Sequence, residues 1–370
     1  MAVPFIDLRR FEPGFMDRWL EICRGLTEQT QFVGGPEVQR LERELAAESG
    51  VAEVVACANG TDALQLALRA AGVGPEDLVV IPDATFWATF EAVVNCGARV
   101  VTVDIDPADL QMDFELFRLA LDEYRPKAAI LVHLYGWGSA RLAEFRALCA
   151  EREVVLVEDG AQVYGVSWRG ESIFRGAQLA TVSFYPAKVL GSCGDAGAVY
   201  CGDAHLAARV RQLGNHGRSG HYSYAAVGWN SRMSGFDAAF LNLSREYLPQ
   251  RLASRRQAAA WYRRRLGEMG LSCMAPPPDY EENGYLEVSL FEPSSRPAVE
   301  EALRAAGIGF GVVYPGSMST QPGAAGDLEA TLGGEQAERL CQGVINLPLF
   351  AYITAAELEE VAAALERFRR

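Results

Sequence analysis

An alternation of two hydrophobic patterns runs through most of this sequence and constrains its fold more than any other feature. From residue 36, segments with apolar residues at helical spacing alternate with short runs rich in β-branched residues. This alternation is typical of parallel strands joined by crossover helices. We therefore predict an α/β fold with a large mixed, mostly parallel sheet. The predicted strands cover residues 54–58, 78–81, 99–103, 128–132, 154–157, 180–184 and 198–201, and the predicted helices cover residues 36–50, 62–71, 86–96, 113–124 and 140–152.

The pattern changes after about residue 236, where the strand signals become rare. This change predicts two domains, a large domain with an N-terminal arm over residues 1–245 and a small C-terminal α+β domain over residues 246–370. The elements predicted in this part of the chain are an arginine-rich helical region over residues 237–269, a strand over 285–291, and helices over 296–306 and 355–368.

Lysine is almost absent from the sequence. The chain has 34 lysines and arginines together, and only Lys127 and Lys188 are lysines. Arginine stays protonated and cannot supply a free amine, whereas lysine can act as a nucleophile or form a Schiff base. Lys127 stands at the polar start of an apolar run, so we expect it to be a solvated surface charge. Lys188 lies among small and apolar residues and is a candidate for a chemical role, although composition alone also allows an incidental lysine.

The charge balance and the cysteine spacing exclude several kinds of partner. A formal net charge of -14 repels the phosphate backbone of nucleic acids. No apolar run approaches the roughly 18 residues that cross a bilayer. The eight cysteines are scattered, without the spacing of metal ligands. We therefore expect a cytoplasmic protein with no membrane, nucleic-acid or metal partner.

Two polar motifs follow predicted strands, at the sheet edge where α/β proteins bind ligands. The run Asn59-Gly-Thr-Asp-Ala-Leu64 joins a strand directly to a helix, so free N–H groups would face a bound anion. A helix cap by Thr61 or Asp62 is the alternative interpretation. Asp159 comes directly after the run Val154-Val-Leu-Val157-Glu158, and a carboxylate at the end of a buried strand requires a cation. Alternatively, Asp159 caps a turn.

Two further features stand near strand ends. Phe86, in Pro82-Asp-Ala-Thr-Phe86-Trp87, could stack on a flat heterocycle, although core packing is the usual role of such a ring. Ser183 and Lys188 lie five residues apart across a predicted turn, so a hydroxyl and an amine could reach opposite ends of one small molecule. Together with the two polar motifs, these features describe partners for a phosphate, a ring face, a ring nitrogen and an aldehyde.

The sequence resembles the DegT/DnrJ/EryC1/StrS family of sugar aminotransferases, which have the aspartate-aminotransferase (type I) fold. The resemblance runs from Phe5-Ile-Asp-Leu8 to Leu347-Pro-Leu-Phe350. The motifs that carry it are Gly35-Pro-Glu-Val38, Asn59-Gly-Thr-Asp-Ala-Leu64, His133-Leu-Tyr-Gly136, Glu158-Asp159 with Gln162, Ser183-Phe-Tyr-Pro-Ala-Lys188 with Gly194-Asp195 and Gly197-Ala198, and Asn230-Ser-Arg-Met233.

The resemblance implies a pyridoxal 5'-phosphate cofactor and a role for each site residue. Lys188 would bind the cofactor covalently as a Schiff base and act as the catalytic proton carrier, and Asp159 would pair with the ring nitrogen. The other implied cofactor-binding residues are Gln162 at the ring hydroxyl, Phe86 on the ring face, Gly60, Thr61 and Ser183 at the phosphate, and Asn230 reaching in from the partner subunit of a homodimer.

The implied reaction moves an amino group from an amino acid, expected to be L-glutamate, to a keto-sugar. The sugar would be nucleotide-linked, with Arg218 and Arg232 offering charge to its diphosphate. Two alternatives stay open: a sugar dehydratase of the same family, which has His in place of the lysine, and a non-catalytic sensor or scaffold. We interpret His133 as a structural hydrogen-bonding residue rather than a base. Gly160, Tyr164, the segment Ser234-Gly235-Phe236 and Ser319 depart from the family pattern, and we expect them on the substrate side.

Overall fold

The computed structural model describes residues 3–369 and places all seven predicted strands in one eight-stranded sheet. Its strands are β1 (Glu53–Cys57), β2 (Leu78–Pro82), β3 (Arg99–Val103), β4 (Ala128–Val132), β5 (Val155–Asp159), β6 (Leu179–Ser183), β7 (Gly197–Cys201) and β8 (Leu328–Leu332). The spatial order is β1-β7-β6-β5-β4-β2-β3-β8. Five of the seven neighbouring pairs are parallel, and only β7 runs against the others. The predicted mixed, mostly parallel α/β sheet is confirmed.

Helices cover the sheet and continue into the C-terminal part of the chain. They are α1 (Phe15–Glu28), α2 (Pro36–Ser49), α3 (Gly60–Ala70), α4 (Trp87–Asn95), α5 (Phe114–Tyr124), α6 (Leu142–Glu151), α7 (Ala204–Gly214), α8 (Gly235–Glu246), α9 (Leu248–Glu268), α10 (Arg296–Ala305), α11 (Glu335–Gly343) and α12 (Ala355–Leu365). Helix α2 shows why these segments are helical. Pro36 occupies its first turn, Gly50 takes the left-handed conformation that ends it, and Val38, Leu41 and Leu45 bury one face.

The helical region predicted over residues 237–269 is present, and the chain forms two helices there. Helix α8 ends at Glu246 and α9 begins at Leu248, with Tyr247 between them. Pro249 explains the break. In a continuous helix the proline ring would clash with the carbonyl four residues earlier, and the missing N–H would cost a helical hydrogen bond. In the first turn of α9 there is no such carbonyl and the N–H is not needed.

The C-terminal part of the chain also supplies a strand that the sequence analysis missed. Strand β8 alternates half-buried and exposed residues and pairs in parallel with β3 at the edge of the large sheet. Of the strand expected over residues 285–291, only Ser289–Leu290 forms a strand in the structure. The division near residue 245 stays a prediction.

Short elements complete the structure. The segments Ser272–Cys273, Ser289–Leu290 and Val344–Ile345 form one small sheet, Ser167–Trp168, Glu171–Ser172 and Tyr280–Glu281 form another, Arg218–Gly220 and Ser223–Tyr224 form a hairpin, and 3-10 turns lie at Met318–Thr320, Pro322–Ala324 and Glu366–Phe368.

Three buried apolar clusters stabilise these layers, and the smallest joins Phe15 of α1 to Phe240 and Leu243 of α8. The largest lies between the eight-stranded sheet and its helices. The second is built mainly from residues of α9, α10 and α12, and Val3 joins it by pairing with Ile308. Within residues 3–369, no helix combines the length and apolar character needed to cross a membrane.

Candidate active site

A cavity of about 640 Å³ opens at the carboxyl ends of β1, β5 and β6. These three strands run in the same direction, because β1 and β6 are both antiparallel to β7, which lies between them. The cavity is large enough for a cofactor together with part of a substrate. Seven of the eight predicted site residues line it: Gly60, Thr61, Phe86, Asp159, Gln162, Ser183 and Lys188.

The turn from β1 into α3 forms a cradle for an anion. Asn59 caps α3, because its side-chain oxygen accepts a hydrogen bond of 2.7 Å from the Asp62 N–H. The expected caps, Thr61 or Asp62, are therefore wrong, since both residues already lie inside the helix. The N–H groups of Gly60 and Thr61 remain at the positive end of the helix. A Cβ atom on Gly60 would lie 2.7 Å from the Ser183 Cβ, so only glycine allows this close approach.

Asp159 is the last residue of β5 and is 6% exposed. Its Oδ1 accepts a hydrogen bond of 3.0 Å from the Ala161 N–H, so it also makes the turn contact that was the alternative interpretation. Burial raises the pKa of Asp159 above its ordinary value, partly offset by the Ala161 N–H and the charge of Lys188. Within residues 3–369, Oδ2 has no hydrogen-bond donor. A buried carboxylate of this kind fits a cationic ligand, such as a protonated pyridine nitrogen.

Gln162 and Phe86 both lie next to Tyr314. The Gln162 side chain accepts a hydrogen bond of 2.6 Å from the Tyr135 N–H and donates one of 2.7 Å to the Tyr314 hydroxyl. Its second amide proton remains available to a ligand. Phe86 is 57% exposed at the start of α4, and its ring centre lies 6.0 Å from that of Tyr314. An open aromatic face in this position fits a planar ring.

Lys188 lies in the loop between β6 and β7, and its amine reaches Tyr285. The Nζ atom lies 3.2 Å from the Tyr285 hydroxyl oxygen and 5.0 Å from the centre of its ring. Asn283 holds Tyr285 in place through its side-chain oxygen, which accepts a hydrogen bond of 2.9 Å from the Tyr285 N–H. The Asn283 amide group also donates to the carbonyls of Gln162 and Tyr164. The sequence analysis missed Tyr285 as a site residue.

Behind Asp159, a buried chain of polar groups crosses the sheet. His133 Nε2 lies 3.2 Å from Glu158 Oε2, and Arg146 donates two hydrogen bonds of 2.8 Å to the Glu158 carboxylate. Burial alone would raise the pKa of Glu158, but the hydrogen bonds with His133 and Arg146 outweigh burial and lower it. The contact with Glu158 agrees with the structural role that we expected for His133.

Several expected residues do not line this cavity, namely Asn230, Arg218, Arg232, Gly160, Tyr164, residues 234–236 and Ser319. Asn230 is exposed, and its side chain accepts hydrogen bonds from Arg232. The substrate-side placement of Gly160, Tyr164 and Ser319 is wrong. Gly160 packs against Phe174, Tyr164 is buried and bonded to Glu48, and Ser319 donates hydrogen bonds to the buried Asp83.

The fold and the cavity define a class of protein. An anion cradle, a buried acid without a cation and a primary amine surround one cavity at the edge of a mostly parallel sheet. This is the arrangement of an α/β aminotransferase, whose chemistry needs all three groups.

Comparison with known proteins identifies the family. The DegT/DnrJ/EryC1/StrS aminotransferase family model matches residues 17–366, and the chain belongs to this family. A UDP-2-acetamido-2-deoxy-3-oxo-D-glucuronate aminotransferase of Pseudomonas aeruginosa is 34% identical, covering 98% of this chain and 99% of the relative. A UDP-N-acetyl-3-dehydro-α-D-glucosamine 3-aminotransferase of Acidithiobacillus ferrooxidans is also 34% identical, covering 99% and 98%. The crystal structure of Streptomyces venezuelae DesV in complex with a ketimine intermediate matches with a TM-score of 0.93 and 33% identity, covering 100% of this chain and 98% of that one.

Proposed function

We propose that this enzyme is a pyridoxal-phosphate-dependent aminotransferase that converts a nucleotide-linked 3-keto-sugar to the 3-amino-sugar. The amino sugar would serve a surface polysaccharide or a secondary metabolite. The observation that carries the proposal is one cavity that contains the amine of Lys188, the uncompensated carboxylate of Asp159 and the cradle at Gly60. Two relatives named for 3-oxo and 3-dehydro sugars linked to UDP support the acceptor and its carbon.

The residues around the cavity fit this cofactor. Gly60, Thr61 and Ser183 would hold its phosphate, Asp159 its ring nitrogen, Gln162 its ring hydroxyl and Phe86 its ring face. Lys188 would bond to its aldehyde carbon. When bound, pyridoxal phosphate supplies an electrophilic carbon and a ring that accepts electrons from the substrate.

Lys188 and Asp159 carry the proposed chemistry of the protein. The Lys188 amine would take a proton from the donor Cα and pass it to the cofactor carbon that carried the aldehyde. The Tyr285 hydroxyl, 3.2 Å away, keeps the free amine beside these carbons. Asp159 stays ionised once a cation lies against it, and so holds a proton on the ring nitrogen. The same residues run the steps in reverse with the keto-sugar.

Asn230 of a second subunit would complete the cofactor site. Arg218 and Arg232 of that subunit would bind the diphosphate of the substrate. All three belong to the segment from 218 to 232, and none lines the cavity of its own chain. We therefore propose a homodimer with shared active sites. We also propose that it works in the cytoplasm, where nucleotide-linked sugars are available.

A spectroscopic experiment tests the function. The enzyme is loaded with pyridoxal phosphate and mixed with L-glutamate, and the visible spectrum is recorded before and after addition of a UDP-linked 3-keto-sugar. We expect glutamate to convert the cofactor to its amino form and the keto-sugar to restore the starting spectrum. A dehydratase would remove a hydroxyl group from the sugar and would release no amino sugar. A sensor or scaffold would leave the spectrum unchanged with every donor, which would refute the proposal.

A further inference from the structure

Lys188 also borders a second, smaller cleft of about 90 Å³ between the N-terminal segment and helix α9. Three arginines, Arg10, Arg251 and Arg255, line this cleft together with Lys188. Asp7 is the one carboxylate among its lining residues in the described part of the chain. The side chains of the lining therefore carry an excess of positive charge.

Two of the three arginines are paired with acids. Arg251 donates hydrogen bonds of 2.8 and 2.6 Å to the Glu12 carboxylate. Arg10 contacts both Asp7 and Glu357. Asp7 also accepts hydrogen bonds from Arg9, so its charge is compensated and does not oppose an anion in the cleft.

Arg255 is different, because it is buried and has no acid partner. Its side chain is 6% exposed, and no carboxylate within residues 3–369 lies within 4.0 Å of it. Its Nη1 donates to the carbonyls of Gly284 and Leu349, while Nε is a buried donor without an acceptor. Burial lowers the pKa of Arg255 to about 10, so the guanidinium is still charged at neutral pH. A buried charge with unused donors is costly unless a counter-charge is present.

We propose that this cleft binds a small monovalent anion, such as chloride, against Arg255. The volume admits a halide with one or two waters, since a single water needs roughly 10–15 Å³ of such space. It is too small for a nucleotide or an amino-acid donor, whose sites usually measure about 300 Å³ or more. The anion would satisfy the unused donors of Arg255 and compensate its charge.

Diffraction from the loaded enzyme tests the site itself. Crystals are grown with bromide in place of chloride, and data are collected at the bromine absorption edge. We expect an anomalous peak in the cleft in contact with the Arg255 guanidinium, and none in an Arg255→Gln variant. Ordered water without anomalous signal in the wild-type cleft would overturn the proposal. This result does not depend on the reaction that the enzyme catalyses.

Discussion

The Lys188 amine lies 3.2 Å from the hydroxyl oxygen of Tyr285, a residue 97 positions away in the sequence. Asn283 sets this distance, because its side chain joins the Tyr285 backbone to the carbonyls of Gln162 and Tyr164. A Cβ on Gly136 would lie 2.5 Å from the Asn283 side-chain oxygen, so the turn at Gly136 leaves no room for another residue there. The segment around Tyr285 is thus fixed against the cofactor side of the cavity.

Removing the Tyr285 hydroxyl should slow catalysis without preventing folding. We expect Tyr285→Phe to lower kcat about tenfold with a small change in KM, because one hydrogen bond contributes roughly 1 kcal/mol. The pH profile of kcat should shift as well, since the hydroxyl contacts the proton-carrying amine. Tyr280→Phe is the matched control, because its hydroxyl donates to the Ser139 carbonyl outside the cavity. Equal kcat values for the wild type and Tyr285→Phe would contradict a role in positioning Lys188.

Replacing Lys188 by arginine keeps the positive charge but removes the amine. We expect Lys188→Arg to reduce turnover about a thousandfold or more, since arginine neither forms a Schiff base nor carries the proton. The chain offers one other lysine for comparison, the exposed Lys127. Lys127→Arg should have wild-type activity. Transamination by Lys188→Arg at the native rate would refute the proposed mechanism.

The residues that sequence analysis found near the cavity are those that follow predicted strands. Asp159, Gly60 and Ser183 lie where parallel strands end, and the ends of such strands share one edge of the sheet. Tyr285 and Asn283 could not be found in this way. They come from an irregular segment, and only the packing of that segment against the Gln162 turn brings them to Lys188. Strand β8 was missed for a similar reason, because its short alternating run gains its partner only through tertiary contact with β3.

Substitution of Gly60 tests whether the anion cradle binds the cofactor phosphate. In Gly60→Ala the new Cβ would press on Ser183, so the cradle must open. We expect weaker binding of pyridoxal phosphate by about tenfold or more, measured by absorbance titration, with little change in the free energy of unfolding. Gly25→Ala serves as the control, because Gly25 lies in α1 with free space around it. That change should leave cofactor affinity intact and stabilise the protein by roughly 0.5–1 kcal/mol. Unchanged affinity in Gly60→Ala would exclude the cradle as the phosphate site.

Glu287 should make the protein less stable as the pH rises through the neutral range. Burial raises its pKa from 4.5 to about 7, although the Ser289 hydroxyl and the Leu347 N–H stabilise its charged form. Between these two values the folded state holds a proton that the unfolded state has lost, so stability falls with increasing pH by up to about 3 kcal/mol. Below about pH 4.5 the Glu287 carboxyl is protonated in both the folded and the unfolded state, and above about pH 7 it is ionised in both. Outside this range its contribution to the unfolding free energy therefore does not change with pH.

The Glu287→Gln variant isolates this effect, because every other titrating group is common to both proteins. Urea unfolding is measured between about pH 5 and pH 8. The variant should gain stability relative to the wild type as the pH rises to about 7, and the difference should then level off. A difference in unfolding free energy that stays constant over this range would show that Glu287 titrates normally.

Asn230 provides the test of shared active sites. Within its own chain it is exposed and bonded to Arg232, and it does not line the cavity. We expect Lys188→Ala and Asn230→Ala to be weakly active or inactive as separate dimers. In a mixed dimer, one site combines the intact Lys188 of one subunit with the intact Asn230 of the other, while the second site lacks both. Mixing the two variants under conditions of subunit exchange should therefore restore activity to about half the wild-type value per mixed dimer. If Asn230 acted within its own subunit, every site in the mixture would still lack one group, and mixing would restore no activity.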